Sequence, residues 1–370
     1  MSAHQLPYNP AIDGLRAVAI VLVFLSHAHV PTFDGAFFGV DIFFVLSGFL
    51  ITSLLLSEHG QDGRIDCRRF FRRRFFRLMP ALLLFLAVYW LVAPRIWPDD
   101  GSVTQDVLVS ALYLADYGIA FFDSPGALLH MWSLSVEEHF YLAWPLLLGL
   151  LLRRLPAARV WGTVALLYVL GFVWRLYWVQ SGQLFYEIFF RFDTRATGLL
   201  LGSLLATVAV QRPEWFATLV ARQRYLLWLV PAFPFAVAGF AWDGNGALLW
   251  GIALAELATA AVLVAIHQRQ GVVFDMLGIP ALVWLGRISY GVYLWHYPVV
   301  RVLRSEFSWP LVVALGLPLS MGLAALSYYT VERWALRWRD GARHPAGSAA
   351  PAKAKAPAKP PQLAHAANAA

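Results

Sequence analysis

The sequence predicts an all-α polytopic membrane protein of about ten transmembrane helices, with both termini cytoplasmic and a polar cavity inside the bundle. Three observations carry that expectation. Of 370 residues, 59% are hydrophobic and only 14% are charged, where a soluble domain carries about a quarter charged residues. Apolar runs recur at the roughly 17–25 residues that cross a bilayer. The basic residues between those runs fall in segments that the positive-inside rule can order.

In chain order the apolar runs lie near 12–30, 36–57, 78–94, 131–152, 159–179, 194–211, 226–242, 247–266, 282–304 and 309–331. An eleventh stretch, 103–122, contains Gln105, Asp106, Asp116 and Tyr117 and is too polar to count as a span. Seven arginines (Arg64, Arg68, Arg69, Arg72, Arg73, Arg74 and Arg77) lead into the third run. Arg153, Arg154 and Arg159 form the next basic loop, followed by Arg212, Arg222 and Arg224, then His267 and Arg269. Arg333, Arg337, Arg339, Arg343 and three lysines form the last. If 103–122 does not cross, all five segments share one side, and that side is cytoplasmic. If it crosses, the sides alternate wrongly. Ten spans follow.

The outer segment 95–130, with Pro98, Asp99, Asp100, Asp123 and Pro125, reads as a lid or re-entrant element. Residues 1–340 form the membrane domain. Residues 341–370 are an Ala/Pro/Lys-rich tail, expected to be disordered, cytoplasmic and weakly attracted to anionic lipid.

The balance of +7 (isoelectric point about 9.6) sits in topology-setting loops, so no nucleic-acid partner is expected. Cys67 stands alone among arginines and offers neither a disulfide nor a metal cluster; no metal is expected. The 16 Trp and 14 Tyr suit a membrane–water interface. The first apolar run lacks a basic lead and an A-x-A-like exit, so it reads as a first span rather than a cleaved signal.

Ionisable groups inside spans cost at least a few kcal/mol each near the centre, so each is a functional hypothesis. Arg16 and His27 lie eleven residues apart in the first span; that is three turns, one face and roughly 16 Å along the axis. Asp13 precedes Arg16 by one turn and can pair with it. Arg16 can equally be a snorkelling anchor, and His27 a packing histidine. In the fourth span His130, Ser133, Glu137 and Tyr141 fall on one helical stripe, while Glu138 and His139 point elsewhere. The span enters from outside, so Glu137 is expected at His27's depth. A carboxylate there would fix the histidine's tautomer for general-base work on a hydroxyl. The alternative is a solvated interface cluster.

Arg191, Asp193 and Arg195 open the sixth span and can bind an acceptor or form an interfacial ion-pair group. Asp41, with Ser47, is expected to face protein or a cavity. Tyr290, Tyr293, His296 and Tyr297 are polar groups within the ninth run, and His296 reads first as a satisfied core histidine. Arg74 and Arg77 sit one turn apart where the third span begins. Guanidinium forks there suit a phosphate-rich ligand from the cytosol, or serve as topology signal and lipid-headgroup anchor.

Taken together, the segments resemble the acyltransferase-3 family of integral-membrane O-acyltransferases. The resemblance rests on IDGLRAVAIVLVFLSHA at 12–28, GAFFGVDIFFVLSGFLITSLL at 35–55, RRFFRLMPALLL at 73–84 and HMWSLSVEEHFYLAWPLLL at 130–148. It continues through RFDTRATGLLLGSLLA at 191–206, LGRISYGVYLWHYPV at 285–299 and Glu332-Arg333. Single motifs of this kind are weak, but the ordered set over about 12–334 is specific.

The resemblance implies an enzyme of the bacterial cytoplasmic membrane that moves an acyl group, most often acetyl, from acyl-CoA to a hydroxyl. The acceptor is usually a carbohydrate, such as surface polysaccharide or peptidoglycan, and sometimes a lipid or small metabolite. The family's Arg-x10-His element falls on Arg16 and His27, Arg-x-x-Arg on Arg74 and Arg77, and Ser-x-x-x-Glu on Ser133 and Glu137. Some relatives carry a C-terminal periplasmic esterase-like domain, so a separate periplasmic or polysaccharide-assembly partner is expected here.

The resulting expectation is catalysis by His27 and Glu137, acyl-CoA (acetyl-CoA) held by Arg16, Arg74 and Arg77, and an acceptor met by Arg191, Asp193 and Arg195. Asp13, Asp41, Ser133, Tyr293 and His296 support them. A rival from another class, a proton-coupled transporter or flippase of a polysaccharide-export system, would use the same buried charges as a proton relay. It leaves the phosphate-suited arginines unexplained, and no inverted repeat is visible.

Overall fold

The structure is a computed structural model that describes residues 8–240 and 244–341. All regular structure among them is helical. Helix α1 (Pro10–His27) starts where Asn9 accepts a hydrogen bond from the Ala11 amide and Pro10 presets the first turn. A 3₁₀ turn at Asp34–Phe38 leads into α2 (Gly39–Asp62), which stops at Gly63 in the left-handed conformation, φ 69°. In α3 (Cys67–Ile96) Asp66 caps the start by accepting from the Arg69 amide. The arginines occupy its first turns and the apolar run follows, so a thirty-residue helix overshoots the hydrocarbon on its basic side.

The outer segment folds into α4 (Val103–Ala111) and α5 (Ala115–Phe122). At nine and eight residues each is far too short to cross. Asp106 ties the segment down by accepting from the Gly126 and Ala127 amides at 3.3 and 3.1 Å. The continuous helices α6 (Met131–Arg154) and α7 (Ala157–Gln180) follow, then the short α8 (Phe185–Phe189) and α9 (Phe192–Arg195), and α10 (Thr197–Gln211).

Next come α11 (Pro213–Ala221), α12 (Gln223–Leu226) and α13 (Ala232–Gly239). A π-helical turn at Ala247–Gly251 enters α14 (Ile252–Ile266). The last described elements are α15 (Val272–Leu277), α16 (Pro280–Arg287), α17 (Ser289–Glu306), α18 (Trp309–Ser327), a second π turn at Tyr328–Glu332, and α19 (Arg333–Gly341).

Among the described residues, six stretches are long and apolar enough to cross a membrane: Pro10–His27, Gly35–Asp62, Cys67–Ile96, Ala158–Gln180, Ala247–Ile266 and Trp309–Arg339. They coincide with six of the ten runs read from the sequence, and the chain is a multi-pass membrane protein. The run at 131–152 is one helix, α6, whose carboxylates make it less apolar. The runs at 194–211 and 282–304 are each divided, at Ala196 and Ile288. The run at 226–242 is divided as well, and its end falls at 241–243, outside the described residues, as does the tail from 342.

Lipid rather than water explains the surface. On α18, Leu311, Leu315, Leu319 and Leu326 are exposed at helical spacing, and on α7 so are Leu166, Val169, Leu170 and Val173. Inside, close helix packing replaces a hydrophobic drive. A Cβ on Gly48 of α2 would lie 1.9 Å from the Leu199 carbonyl oxygen, and one on Gly202 of α10 would lie 2.0 Å from that of Val45. Only glycine lets these backbones touch. Thr52 donates to Ser203 at 2.8 Å beside the contact, and Trp144 donates to Thr52 at 2.8 Å.

A buried charge group pins the same region. Arg195 donates to both carboxylate oxygens of Asp41 at 3.0 and 3.2 Å, and both side chains are wholly buried. Arg175 donates to Thr197 at 2.8 Å, and Thr197 donates to Glu256. Two guanidiniums and two carboxylates thus balance inside the bundle.

Candidate functional site

A cavity of about 380 Å³ opens between α1, α2, α3, α6, α17 and the α18–α19 junction. Five guanidiniums line it: Arg16, Arg74, Arg77, Arg287 and Arg339. Three carboxylates, Asp13, Glu137 and Glu332, answer them, leaving an excess of two positive charges. That excess is an anion site in electrostatic terms.

The arginines differ in how far they are already engaged. Arg74 stacks 3.3 Å over the ring of Tyr141, and its Nη2 lies 3.6 Å from Glu138 Oε1. Arg16 pairs with Asp13 at 3.5 Å, as the one-turn spacing predicts. Arg287 donates to the Tyr8 hydroxyl at 2.9 Å, which donates to Asp13 at 2.8 Å. Arg77 is accessible from the cavity, and no hydrogen bond or salt bridge to it is present among the described residues. Its fork is free for a ligand.

Helix α6 supplies the polar wall. Ser133, Glu137 and Tyr141 all face the cavity, so the stripe read from the sequence is real. Glu137 accepts a 2.6 Å hydrogen bond from Ser47 of α2. Tyr293 donates to the His130 carbonyl at 2.6 Å and receives the hydroxyl of Ser133. Tyr293 belongs both to the cavity wall and to a second cluster, its ring 5.4 Å from that of His296.

That second cluster holds His27. Its Nδ1 lies 3.1 Å from His296 Nε2, the ring of Tyr297 meets it edge-on at 5.0 Å, and Arg304 donates to its carbonyl at 3.1 Å. The wholly buried ring of His130 stacks on Tyr297 at 4.9 Å. His27 does not line the cavity.

The expected pairing of His27 with Glu137 is therefore absent, and depth is the reason. His130, at the start of α6, reaches the His27 cluster; Glu137 lies seven residues on, about 10 Å deeper. At that level it neighbours Arg16 and Arg74. The carboxylate belongs to the arginine end of α1, and His296 takes the place expected for it beside the histidine.

Two further expectations change, for Glu138 and Arg195, while His139 points away from the cavity as expected. Glu138 does not point away from the site, because it pairs with Arg74. His139 turns to the outer segment, its Nδ1 3.1 Å from buried Asp116. Arg195 is sealed against Asp41 and meets no acceptor. Arg191 and Asp193 pair with each other, Arg191 Nε to Asp193 Oδ1 at 2.9 Å, and Trp174 donates to Asp193 at 2.7 Å. They are a separate ion pair among aromatic rings. Sequence reasoning passed over Arg287, Arg339 and Glu332 as cavity residues, although Arg287 and Glu332 stand inside motifs it quoted.

With this geometry in place, comparison with known proteins is direct. The chain belongs to the acyltransferase-3 family: residues 9–329 match its acyltransferase domain. It is 33% identical over 351 residues to the protein YrhL of Bacillus subtilis, covering 88% of this chain and 54% of the relative. It is 30% identical over 315 residues to the peptidoglycan O-acetyltransferase OatA of Listeria monocytogenes, covering 80% and 50%. It is also 30% identical over 326 residues to the O-acetyltransferase OatA of Staphylococcus aureus, covering 81% and 52%. The chain spans about half the length of these curated relatives. No solved structure matches it.

Proposed function

We propose that this chain is a ten-span O-acetyltransferase of the bacterial cytoplasmic membrane, with both termini inside. It takes acetyl from cytoplasmic acetyl-CoA and places it on a carbohydrate hydroxyl. Peptidoglycan is the acceptor class to test first, because the Listeria relative carries it in its name. The observation that carries the reading is the guanidinium-rich cavity separated by one shared ring, Tyr293, from a buried histidine cluster.

In this reading the donor's phosphates meet Arg77, with Arg74 and Arg16 beside it. Glu137, held by Ser47, accepts from amide N–H groups of the pantetheine arm rather than serving as the base. The thioester reaches past Tyr293 toward His27. His27 takes the acceptor's hydroxyl proton while that oxygen attacks the thioester carbonyl carbon. The C–S bond breaks, the sulfur leaves as thiolate and recovers the proton from His27, and the products are CoA thiol and an O-acetyl ester. Arg191 and Asp193, with the neighbouring aromatic rings, are candidate outer contacts for the sugar. A separate periplasmic or assembly partner remains part of the proposal.

The test is release of CoA thiol from acetyl-CoA by the full chain in nanodiscs with muropeptide or polysaccharide acceptor, with mass spectrometry of the product. An acetyl increment that requires both acetyl-CoA and His27 supports the reading. Acceptor flux across the bilayer with no dependence on acetyl-CoA replaces it with a carrier.

A further inference from the structure

The hydrogen bonds of the His27–His296 pair fix where its protons sit. His296 Nδ1 lies 2.7 Å from the Tyr293 carbonyl oxygen. A carbonyl only accepts, so Nδ1 carries the hydrogen. In a neutral ring His296 Nε2 then holds a lone pair, and it points at His27 Nδ1, 3.1 Å away. His27 Nδ1 must be the donor. The Val23 carbonyl, one turn back on α1, is a further acceptor for the His27 ring. The titratable and charged neighbours of the two rings are His29, His130, Tyr293, Tyr297 and Arg304, none of them a carboxylate. A proton added to the pair would thus be buried without a counter-charge.

We propose that His296 is a positioning residue that holds His27 as its Nδ1–H tautomer and so presents a bare Nε2 to the acceptor hydroxyl. Nε2 has no hydrogen-bond partner among the described residues. The proposal rests on the reading of His27 as the base of acyl transfer, but the tautomer itself does not. A carboxylate usually fixes the tautomer of a working histidine. Here a second imidazole, anchored on its own helix by a backbone carbonyl, does so without bringing negative charge to the thioester.

The two amide side chains separate this role from packing. His296→Gln places an amide oxygen near the position of Nε2 and keeps an acceptor for His27. His296→Asn fills the Nδ1 side, keeps a donor for the Tyr293 carbonyl, and removes the side-chain acceptor of His27. Full-length protein labelled with ¹⁵N-histidine in nanodiscs gives the tautomer directly by NMR, the His27 signal being assigned by its loss in His27→Ala.

The expected result is Nδ1–H with bare Nε2 in the wild type and in His296→Gln, and a new Nε2–H population in His296→Asn, where the Val23 carbonyl is the acceptor left to the His27 ring. Acetyl transfer by His296→Asn should fall at least about tenfold in kcat with KM for acetyl-CoA within about twofold, and His296→Gln should recover most of it. An Nε2–H signal in the wild type, or an unchanged tautomer in His296→Asn, overturns the positioning role and leaves the transfer reading standing. Wild-type transfer by His27→Ala overturns the reading of His27 as the base, whatever the tautomer proves to be.

Discussion

Ser47 on α2 holds Glu137 on α6 through a 2.6 Å hydrogen bond, and this tie helps orient the carboxylate within an arginine-lined cavity. Removing the donor hydroxyl in Ser47→Ala should lower kcat/KM for acetyl-CoA roughly three- to tenfold, the worth of about 1 kcal/mol. Glu137→Gln should act mainly through KM, since the carboxylate sits with the cavity arginines and not beside His27. A loss confined to kcat would move Glu137 back into the chemistry.

Arg77 and Arg74 should separate cleanly. Arg77 has no hydrogen bond or salt bridge among the described residues, so Arg77→Ala should leave thermal stability unchanged. It should raise KM for acetyl-CoA at least about tenfold, the scale of one charge-assisted contact. Arg74→Ala strips Glu138 of its partner and Tyr141 of a stacked cation. It should lower the melting temperature as well as donor affinity. Equal effects of both variants on melting would contradict the distinction.

The Asp41–Arg195 pair should behave as structure. Asp41→Ala leaves a buried guanidinium unpaired, at a cost of about 3–5 kcal/mol, readable as loss of monodisperse protein in detergent. The paired replacement Asp41→Leu with Arg195→Met should recover much of that yield. An acceptor KM that changes in the recovered double variant would return Arg195 to substrate binding.

Gly48→Ala should be far more harmful than a helix propensity scale suggests. Alanine favours a helix by about 1 kcal/mol over glycine, yet here its methyl would sit 1.9 Å from a carbonyl oxygen. Gly162, with nothing within 4 Å of an added Cβ, is the control, and Gly162→Ala should be neutral or stabilising. Comparable melting for the two variants would refute the close crossing of α2 and α10.

Much of this was legible in the sequence. Periodicity placed Ser133, Glu137 and Tyr141 on one stripe, and all three line the cavity. The one-turn spacing of Asp13 and Arg16 gave their pair. The polarity of 103–122 kept it from being counted as a span, and it folds as α4 and α5. What could not be read was depth and cross-helix choice. Spacing along α6 says which face Glu137 occupies but not which level of α1 it meets, so the histidine's partner was misassigned. His296 lies 269 residues from His27, and only the packing of α17 on α1 brings them together. Arg195 was unreadable for the same reason: a cation near a helix start looks like a binding group until its distant counter-ion is seen.

Ser47 is next in sequence to Gly48, where the backbones of α2 and α10 touch. The side of the chamber bearing Ser47 is consequently bolted to its neighbour and has little freedom to yield. The facing side is built of shorter pieces: α16 and α17 meet at Ile288, and α18 reaches α19 through the π turn at Tyr328–Glu332. Across the chamber α16 is seated as closely on α1, where a Cβ on Gly286 would fall 1.8 Å from the Asp13 carbonyl oxygen, so the space is framed by two close backbone contacts.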